Sequence, residues 1–411
     1  MPSDQTSASP TVPPVVLDDG AIVRGAHAED VPEMLAIEAD REGADDAVDL
    51  QLVASTPGGL ESMSVVERDG RVVSIATLLD ETVRVDGVAL AAGQVEMVAT
   101  AQDAEGRGYV RALMKRCHDL STARGHVMQV MIGIPNFYRQ FGYSYSIPMH
   151  PWATVTPRDP AEHDLGFAVT KATEGDASDC RALQEAAQQQ FDVSMPHSDD
   201  CWGWLLQHSS SEQLLMRDAA GRPAALARAY DDGEGSVDLG EFASVSAEAT
   251  RALLGHALRS AGPEGTVRVN VRPHVPALAE ATVDQERADW YYTRIADPAL
   301  LLSAMAPVLL ARLGTAGRAE GEALISFFRR HVRLRWSGAE LIVTPGGPLQ
   351  APVHAGGSGV PTDAIGSMLF GGGAECLEER FPDAHLGRQA ELMRAMFPPV
   401  SADLLTFYFP S

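Results

Sequence analysis

The chain has little cysteine. Four occur in 411 residues, Cys117, Cys180, Cys201 and Cys376, with no CxxC pair and no Cys/His cluster at metal-ligand spacing. This excludes a disulfide-stapled scaffold and a zinc-finger-like site, and it predicts free thiols and no metal. Positive charge is also scarce, with 32 Lys and Arg against 56 Asp and Glu and a formal net charge of −24. Such a surface repels phosphate backbones and anionic headgroups, so neither nucleic acid nor a membrane is an expected partner, whereas cationic amines are attracted. Long apolar runs are missing too: no stretch reaches the roughly 18 residues needed to span a bilayer. Residues 1–19 are rich in Ser, Thr and Pro and lack the basic and apolar regions of a secretory leader, so they read as a disordered tail and the expected location is cytoplasmic.

What is present is foldable material. Apolar residues make up 45% of the chain and charged ones 21%, the balance of a protein that buries cores. The length calls for two or three domains, and the periodicity divides it at 20–156, 165–292 and 293–411, with a polar, Pro-containing linker from Pro157 to Asp164.

In the first segment a strand, Ala21–Ala26, precedes an amphipathic helix over Glu29–Glu42, with Val31, Met34, Leu35 and Ile37 at helical spacing. Antiparallel strands follow at Met63–Arg68, Val72–Leu79 and Thr82–Ala92, with hairpin signals at Asp69-Gly70 and Asp86-Gly87. A strand over Gln94–Thr100 then enters a glycine turn and a helix with Val110, Leu113, Met114, Cys117 and Leu120 on one stripe. A buried strand, His126–Ile134, and a short helical piece at Phe137–Tyr143 complete a mixed α/β domain.

The second segment restarts at Phe167 with a strand and a helix, Ser178–Gln190, then strands at Gln213–Arg217, Ala224–Tyr230, Ser236–Ala243 and Gly265–Val271 and a helix over Ala247–Ala261. It contains no counterpart of the glycine turn and reads as catalytically silent. The third has a helix over Ala299–Leu313, hairpin strands at His331–Trp336 and Ala339–Thr344, and a helix near Arg388–Met396.

The chemistry concentrates in Glu105-Gly106-Arg107-Gly108-Tyr109-Val110. Two glycines let the backbone turn tightly at the mouth of a helix, where unpaired amides and the positive end of the helix dipole can hold a pyrophosphate, with Arg107 and Arg111 near enough to add charge. Gly356-Gly357-Ser358-Gly359 lacks the Gly-Lys-Ser/Thr ending of a nucleotide loop and reads as a flexible connection.

Together with Tyr138-Arg139-Gln140-Phe141-Gly142-Tyr143 further on, the glycine turn resembles the paired motifs of the GNAT acetyltransferases, with Glu105 in place of their usual Gln or Arg and Val110 in place of a small residue. The resemblance implies acetyl-CoA as co-substrate and Tyr138 as the proton donor to the departing thiolate, a role its phenol of pKa about 10 suits. Glu96, on the strand leading into the loop, is a candidate base for the acceptor amine.

The three-part layout resembles the Eis (enhanced intracellular survival) family, supported by Arg294-Ile295-Ala296-Asp297-Pro298 and by Pro361–Gly371. That resemblance implies tandem GNAT folds, mostly antiparallel mixed sheets flanked by helices, then a sterol-carrier-protein-like domain. It implies Met97 beside the thioester, Val98 and Thr100 along the pantetheine arm, Gly133 as a small residue bordering the cofactor, and the terminal carboxylate, here Ser411, as general base. Asp45, Asp46 and Asp49 would wall an acidic acceptor pocket for aminoglycosides, polyamines or lysine-like amines, and the protein would assemble as a trimer or hexamer. Two functions remain open: an N-acetyltransferase, or a binding protein that keeps the fold without turnover.

Overall fold

The computed structural model describes residues 12–156, 166–233 and 235–408. The chain forms two compact units of mixed α/β structure. One gathers Met1–Glu81, Ala91–Gln129 and Gln207–Ser210; the other gathers Thr82–Leu90, Val130–Leu206 and Ser211–Ser411.

In the first unit the strands Val15–Val16, Ile22–Gly25, Met63–Arg68 and Arg71–Val85 pair antiparallel in chain order. Asp69 and Gly70, both at positive φ (53° and 76°), make the tight turn between the last two, as the sequence predicts. The polar pair Asp80-Glu81 does not end the long strand, which runs unbroken to Val85; the separate strand expected over Thr82–Ala92 is instead the close of one strand and the start of the next, Val88–Thr100. The chain stays extended through the pair because no glycine or proline interrupts it and Asp80 is taken up by Arg124 at 2.8 Å and His126 at 3.0 Å.

The helix Val31–Arg41 begins with a proline in its first turn, and a second helix, Ala44–Ser55, packs beside it. Asp49 on that second helix is 1% exposed and accepts hydrogen bonds from Ser209 N at 3.0 Å and Ser210 Oγ at 2.7 Å. It therefore secures the Gln207–Ser210 segment, which corrects its expected place in an acidic pocket wall. The helix Tyr109–Ala123 buries Leu113, Met114, Cys117 and Leu120, the stripe read from the sequence.

In the second unit a seven-stranded sheet runs in the order Thr282–Val283, Trp152–Val155, Thr266–Asn270, Ser236–Ser244, Pro223–Asp231, Glu212–Arg217, Ala168–Lys171. The helices Ala177–Gln188 and Ala247–Ala261 pack on it, the latter into a core with Phe242, Leu253, Val269 and Leu278. The strands Glu320–Ser326, His331–Ser337 and Glu340–Gly346 form a meander, with Ser358–Gly359 added parallel to the first. The helix expected over Ala299–Leu313 is two, Pro298–Ala304 and Ala306–Thr315, bent by 64°. Pro307, in the first turn of the second, cannot donate back into the preceding turn. No single helix among the described residues is long and apolar enough to cross a membrane.

Candidate active site

The strand Val88–Thr100 carries an irregularity that no sequence motif announces. Met97 sits at φ 52°, a left-handed conformation that costs a non-glycine residue about 1–3 kcal/mol and persists only where the surroundings enforce it. Thr77 Oγ1 reaches its sulfur at 3.8 Å, and one step on, Ser74 Oγ donates to Ala99 O at 3.0 Å. Up to this kink Val95, Glu96 and Met97 are buried, whereas Val98 and Thr100 beyond it keep partial exposure. The kink re-aims the strand's last backbone groups, so Val98 and Thr100 present an accessible edge. Glu96 is 4% exposed and accepts from the Gln94 amide.

After a short 3-10 turn, Gln102–Ala104, the glycine loop enters the helix Tyr109–Ala123. Gly106 and Gly108 stand at φ 74° and 83°, and a Cβ built on either meets nothing within 4 Å. The glycines are thus required by conformation and not by crowding, and the space in front of the loop is open. Successive backbone amides turned this way at a helix N-terminus form a concavity suited to an anion. The Glu105 carboxylate in this loop is paired with Arg41 at 2.6 Å, a partner from the end of the Val31–Arg41 helix. Arg107 and Arg111 are exposed. Tyr109 is 2% exposed, and its hydroxyl donates to Asp19 at 2.7 Å; any contact it makes to a ligand in the loop would be through its backbone N–H.

Tyr138 and Gly133 form a second cluster, in the other unit. Tyr138 lies on the one-turn helix Phe137–Phe141, which starts after Asn136 at φ 64° and stops at Gly142 at φ 86°. Its ring packs edge-on against Phe137, Tyr143 and Tyr292 at 5.1, 6.2 and 6.0 Å. It also lies directly over Gly133: a Cβ there would stand 2.4 Å from Tyr138 Cε2. Gly133 thus seats the tyrosine. Two residues that the sequence reading passed over brace this segment. Tyr145 and Tyr292 stack at 4.3 Å, Asn136 N donates to Tyr145 Oη at 2.8 Å, and the single Tyr292 hydroxyl proton has two acceptors in reach, Tyr145 Oη at 2.7 Å and Ile134 O at 3.2 Å. Burial, with Tyr145 beside it, pushes the Tyr292 phenol well above the usual tyrosine range, so it remains a donor.

Ser411, with Phe409 and Pro410, lies outside the described residues. The chain before them is firmly held. Ala402–Leu404 adds parallel to Val193–Met195, and Asp403 accepts from Arg272 at 2.8 Å and pairs with His150 at 2.8 Å. Burial alone would raise the Asp403 carboxyl, but Arg272 and His150 hold it far below the usual carboxylate range. Arg228, fully buried, donates to Thr406 O at 3.1 Å and Phe407 O at 2.7 Å while pairing with Glu241 at 3.3 Å. Among the described residues no group of three or more His, Cys, Asp or Glu is placed to hold a metal ion.

Residues 24–146 match the family model described as an acetyltransferase (GNAT) domain, and the kinked strand and glycine loop fall inside the match. This stretch is a GNAT-type acetyltransferase domain. In fold the whole chain is similar to a GCN5-related N-acetyltransferase from Anabaena variabilis (13% identity, 94% of this chain and 100% of that one, TM-score 0.70) and to another from Kribbella flavida (15%, 94% and 100%, 0.64). It is likewise similar to Eis1 from Mycobacterium abscessus, at 16% identity over 94% of this chain and 99% of that one, with TM-score 0.59. At such identities the likeness establishes the fold. No curated protein matches in sequence.

Proposed function

We propose that the protein transfers an acetyl group from acetyl-CoA to a primary amine of a cationic acceptor such as an aminoglycoside, a polyamine or a lysine side chain. The observation that carries this reading is the loop with Gly106 and Gly108 at positive φ, open in front and set at the start of a fifteen-residue helix inside the GNAT domain. Its amides suit the pyrophosphate, and the edge at Val98 and Thr100 suits the pantetheine arm. When bound, acetyl-CoA supplies the acetyl group as a thioester. The chain's own part is to bind and orient through the loop, to polarise the carbonyl with the amide of Val98, and to return a proton to the departing sulfur from Tyr138 Oη.

The terminal carboxylate of Ser411 is the first candidate for taking the ammonium proton, and Glu96 is the second. Residues 293–411 are read as a sterol-carrier-protein-like domain that shapes the acceptor site, after the GNAT domain at 20–156 and a degenerate GNAT-like domain at 165–292. Assembly as a homo-trimer or hexamer in the cytoplasm completes the proposal. The rival reading, a binder without turnover, rests on the Glu105 carboxylate beside the loop and on the Pro410-Ser411 extension at the end of the chain; the pairing of Glu105 with Arg41 answers the first of these.

A thiol-release assay with acetyl-CoA and a panel of monoamines, diamines and aminoglycosides tests the proposal. Acetyl-CoA binding without CoA release for any acceptor would sink the enzyme reading, and no binding at all would sink the cofactor assignment.

A further inference from the structure

Gly133 seats Tyr138 and also borders a cavity of about 900 Å³ in the second unit, whose other walls include Tyr145, Arg287, Asp289, Trp290 and Arg380. That volume is at the upper end of the range for small-molecule sites. The backbone fixes the rim. Trp290 opens the strand Trp290–Arg294, which pairs with Ser144–Pro148, and Met149 N donates to Asp289 O at 2.8 Å. Tyr145, bonded to Asn136 N just before the Tyr138 helix, ties the cavity to the same frame as the tyrosine.

The charges here run against the rest of the molecule. In a chain with 56 acidic and 32 basic residues, two arginines and one aspartate invert the prevailing sign. None of the three side chains has an ion-pair partner among the described residues. The Arg380 guanidinium lies over the Trp290 ring at 4.7 Å. Such stacking orients the planar fork and leaves its in-plane N–H groups uncommitted, the arrangement that grips a carboxylate through two parallel bonds. Asp289 in the same cavity would repel a phosphate dianion but pairs with an ammonium. Two guanidiniums and one carboxylate thus complement the head group of an α-amino acid, which carries one anion and one cation side by side.

Resting on the acyl-transfer reading above, we infer that this cavity holds the α-carboxylate and α-ammonium of a free diamino acid such as lysine, whose side-chain amine is the one acetylated. Arg287 and Arg380 take the carboxylate and Asp289 the α-ammonium, so all three are specificity-determining residues. The reaction itself is unchanged: the amine nitrogen forms an amide bond as the thioester C–S bond breaks, the ammonium proton leaves to the base, and the thiolate takes a proton from Tyr138.

The test measures acetyl transfer by the full chain to L-lysine and to 1,5-diaminopentane, which is lysine without its carboxylate. The wild type should show kcat/KM at least tenfold higher for L-lysine. Arg287 and Arg380 are exposed, so Arg287→Gln and Arg380→Gln should fold as the wild type does. Each should raise KM for L-lysine about tenfold or more, the loss of a charge-assisted contact, with less than a twofold rise for 1,5-diaminopentane and for acetyl-CoA. Asp289→Asn should raise KM for both acceptors, since both carry a second ammonium. No preference for L-lysine in the wild type, or KM for L-lysine within twofold of the wild type in both arginine variants, overturns the subsite and leaves the transferase reading standing. An equal rise for both acceptors in the arginine variants also overturns it, and a tenfold rise for acetyl-CoA alone gives the cavity to a cofactor phosphate instead. Should the wild type acetylate no amine, the transferase reading fails, and calorimetric titration with L-lysine decides the subsite alone: binding that Arg380→Gln weakens tenfold supports it, and absence of binding overturns it.

Discussion

Substituting Gly133 with alanine changes one atom and tests whether Tyr138 works by position. Gly133 is not at positive φ, so alanine is allowed by the backbone; the conflict is with the Tyr138 ring, 2.4 Å from the new Cβ at Cε2 and 2.6 Å at Cδ2. Reaching ordinary carbon contact requires the ring to retreat by about 1 Å, and a misplacement of that size at a reacting group costs up to ~10²-fold in rate. Retreat is opposed by Phe137, Tyr143 and Tyr292, so overpacking should lower stability by roughly 1–3 kcal/mol without unfolding the protein. The assay is steady-state thiol release in four proteins: wild type, Gly133→Ala, Tyr138→Phe and the double variant. Tyr138→Phe should lower kcat by ~10²-fold or more as a lost general acid, and Gly133→Ala by ~10–100-fold, each with KM for acetyl-CoA nearly unchanged. In the Tyr138→Phe background Gly133→Ala should cost almost nothing further, because the two act through one hydroxyl. Equal losses from Gly133→Ala in both backgrounds, or kcat within twofold of the wild type, would refute the positional role.

Other outcomes follow from the same geometry. Gly108→Ala forces a side chain into φ 83° at a cost of about 1–2 kcal/mol and should raise KM for acetyl-CoA with little change in kcat once saturated; an unchanged KM would remove the loop from the cofactor site. Asp403→Asn leaves Arg272 buried without its counter-charge and should destabilise the protein by roughly 3–5 kcal/mol at pH 7 in urea unfolding. Because the folded Asp403 pKa lies below the unfolded value of 3.8, its contribution is complete above that pH and disappears as pH falls toward the folded value, so the gap between variant and wild type should narrow on acidification. Glu81 behaves oppositely. Its folded pKa, pushed up by burial to about 8, exceeds the unfolded 4.5, so the stabilising proton is fully held below pH 4.5 and its benefit disappears as pH rises toward 8. Glu81→Gln should therefore melt with the wild type near pH 4 and above it at pH 8, and parallel melting curves across that range would contradict the burial argument.

The sequence made the glycine loop legible because its signal is local. Gly106 and Gly108 bracket a turn at a helix start, and each stands at the positive φ that glycine favours. The helix Ala247–Ala261 was likewise readable to the residue, since its start is capped by Ser246 and its end is followed by Gly262 at φ 83°. Met97 was not readable as a kink, because methionine has no preference for φ 52° and the conformation is imposed by its neighbours. Pairings across long separations were equally hidden: Glu105 with Arg41 spans 64 residues, Tyr145 with Tyr292 spans 147, and Arg228 with Thr406 spans 178. Spacing carries no information about such contacts, so the Arg41 partner of Glu105 is invisible in the motif itself.

The part of the chain that looked silent has a physical task. Arg228 and Arg272, 0% and 1% exposed, are rare as fully buried cations, and both direct their guanidiniums at residues 403–407. Gln188 adds bonds to Asp403 O and Oδ2, Tyr291 donates to Leu404 O, and Leu405 N donates to Met195 O. A buried ion pair contributes little net stability compared with an apolar pair of the same shape, so stability alone does not explain retaining two of them. Geometry does: charged forks aimed at main-chain and carboxylate oxygens fix this stretch in one register, where apolar packing would allow it to slide. If that is their purpose, replacing the pair together, Arg228→Met with Glu241→Gln, should leave the melting temperature nearer the wild type than Arg228→Met alone, which strands a buried carboxylate, while both raise hydrogen exchange at residues 404–408. A large loss of stability with exchange there unchanged would show that Arg228 holds the lobe together and not the segment.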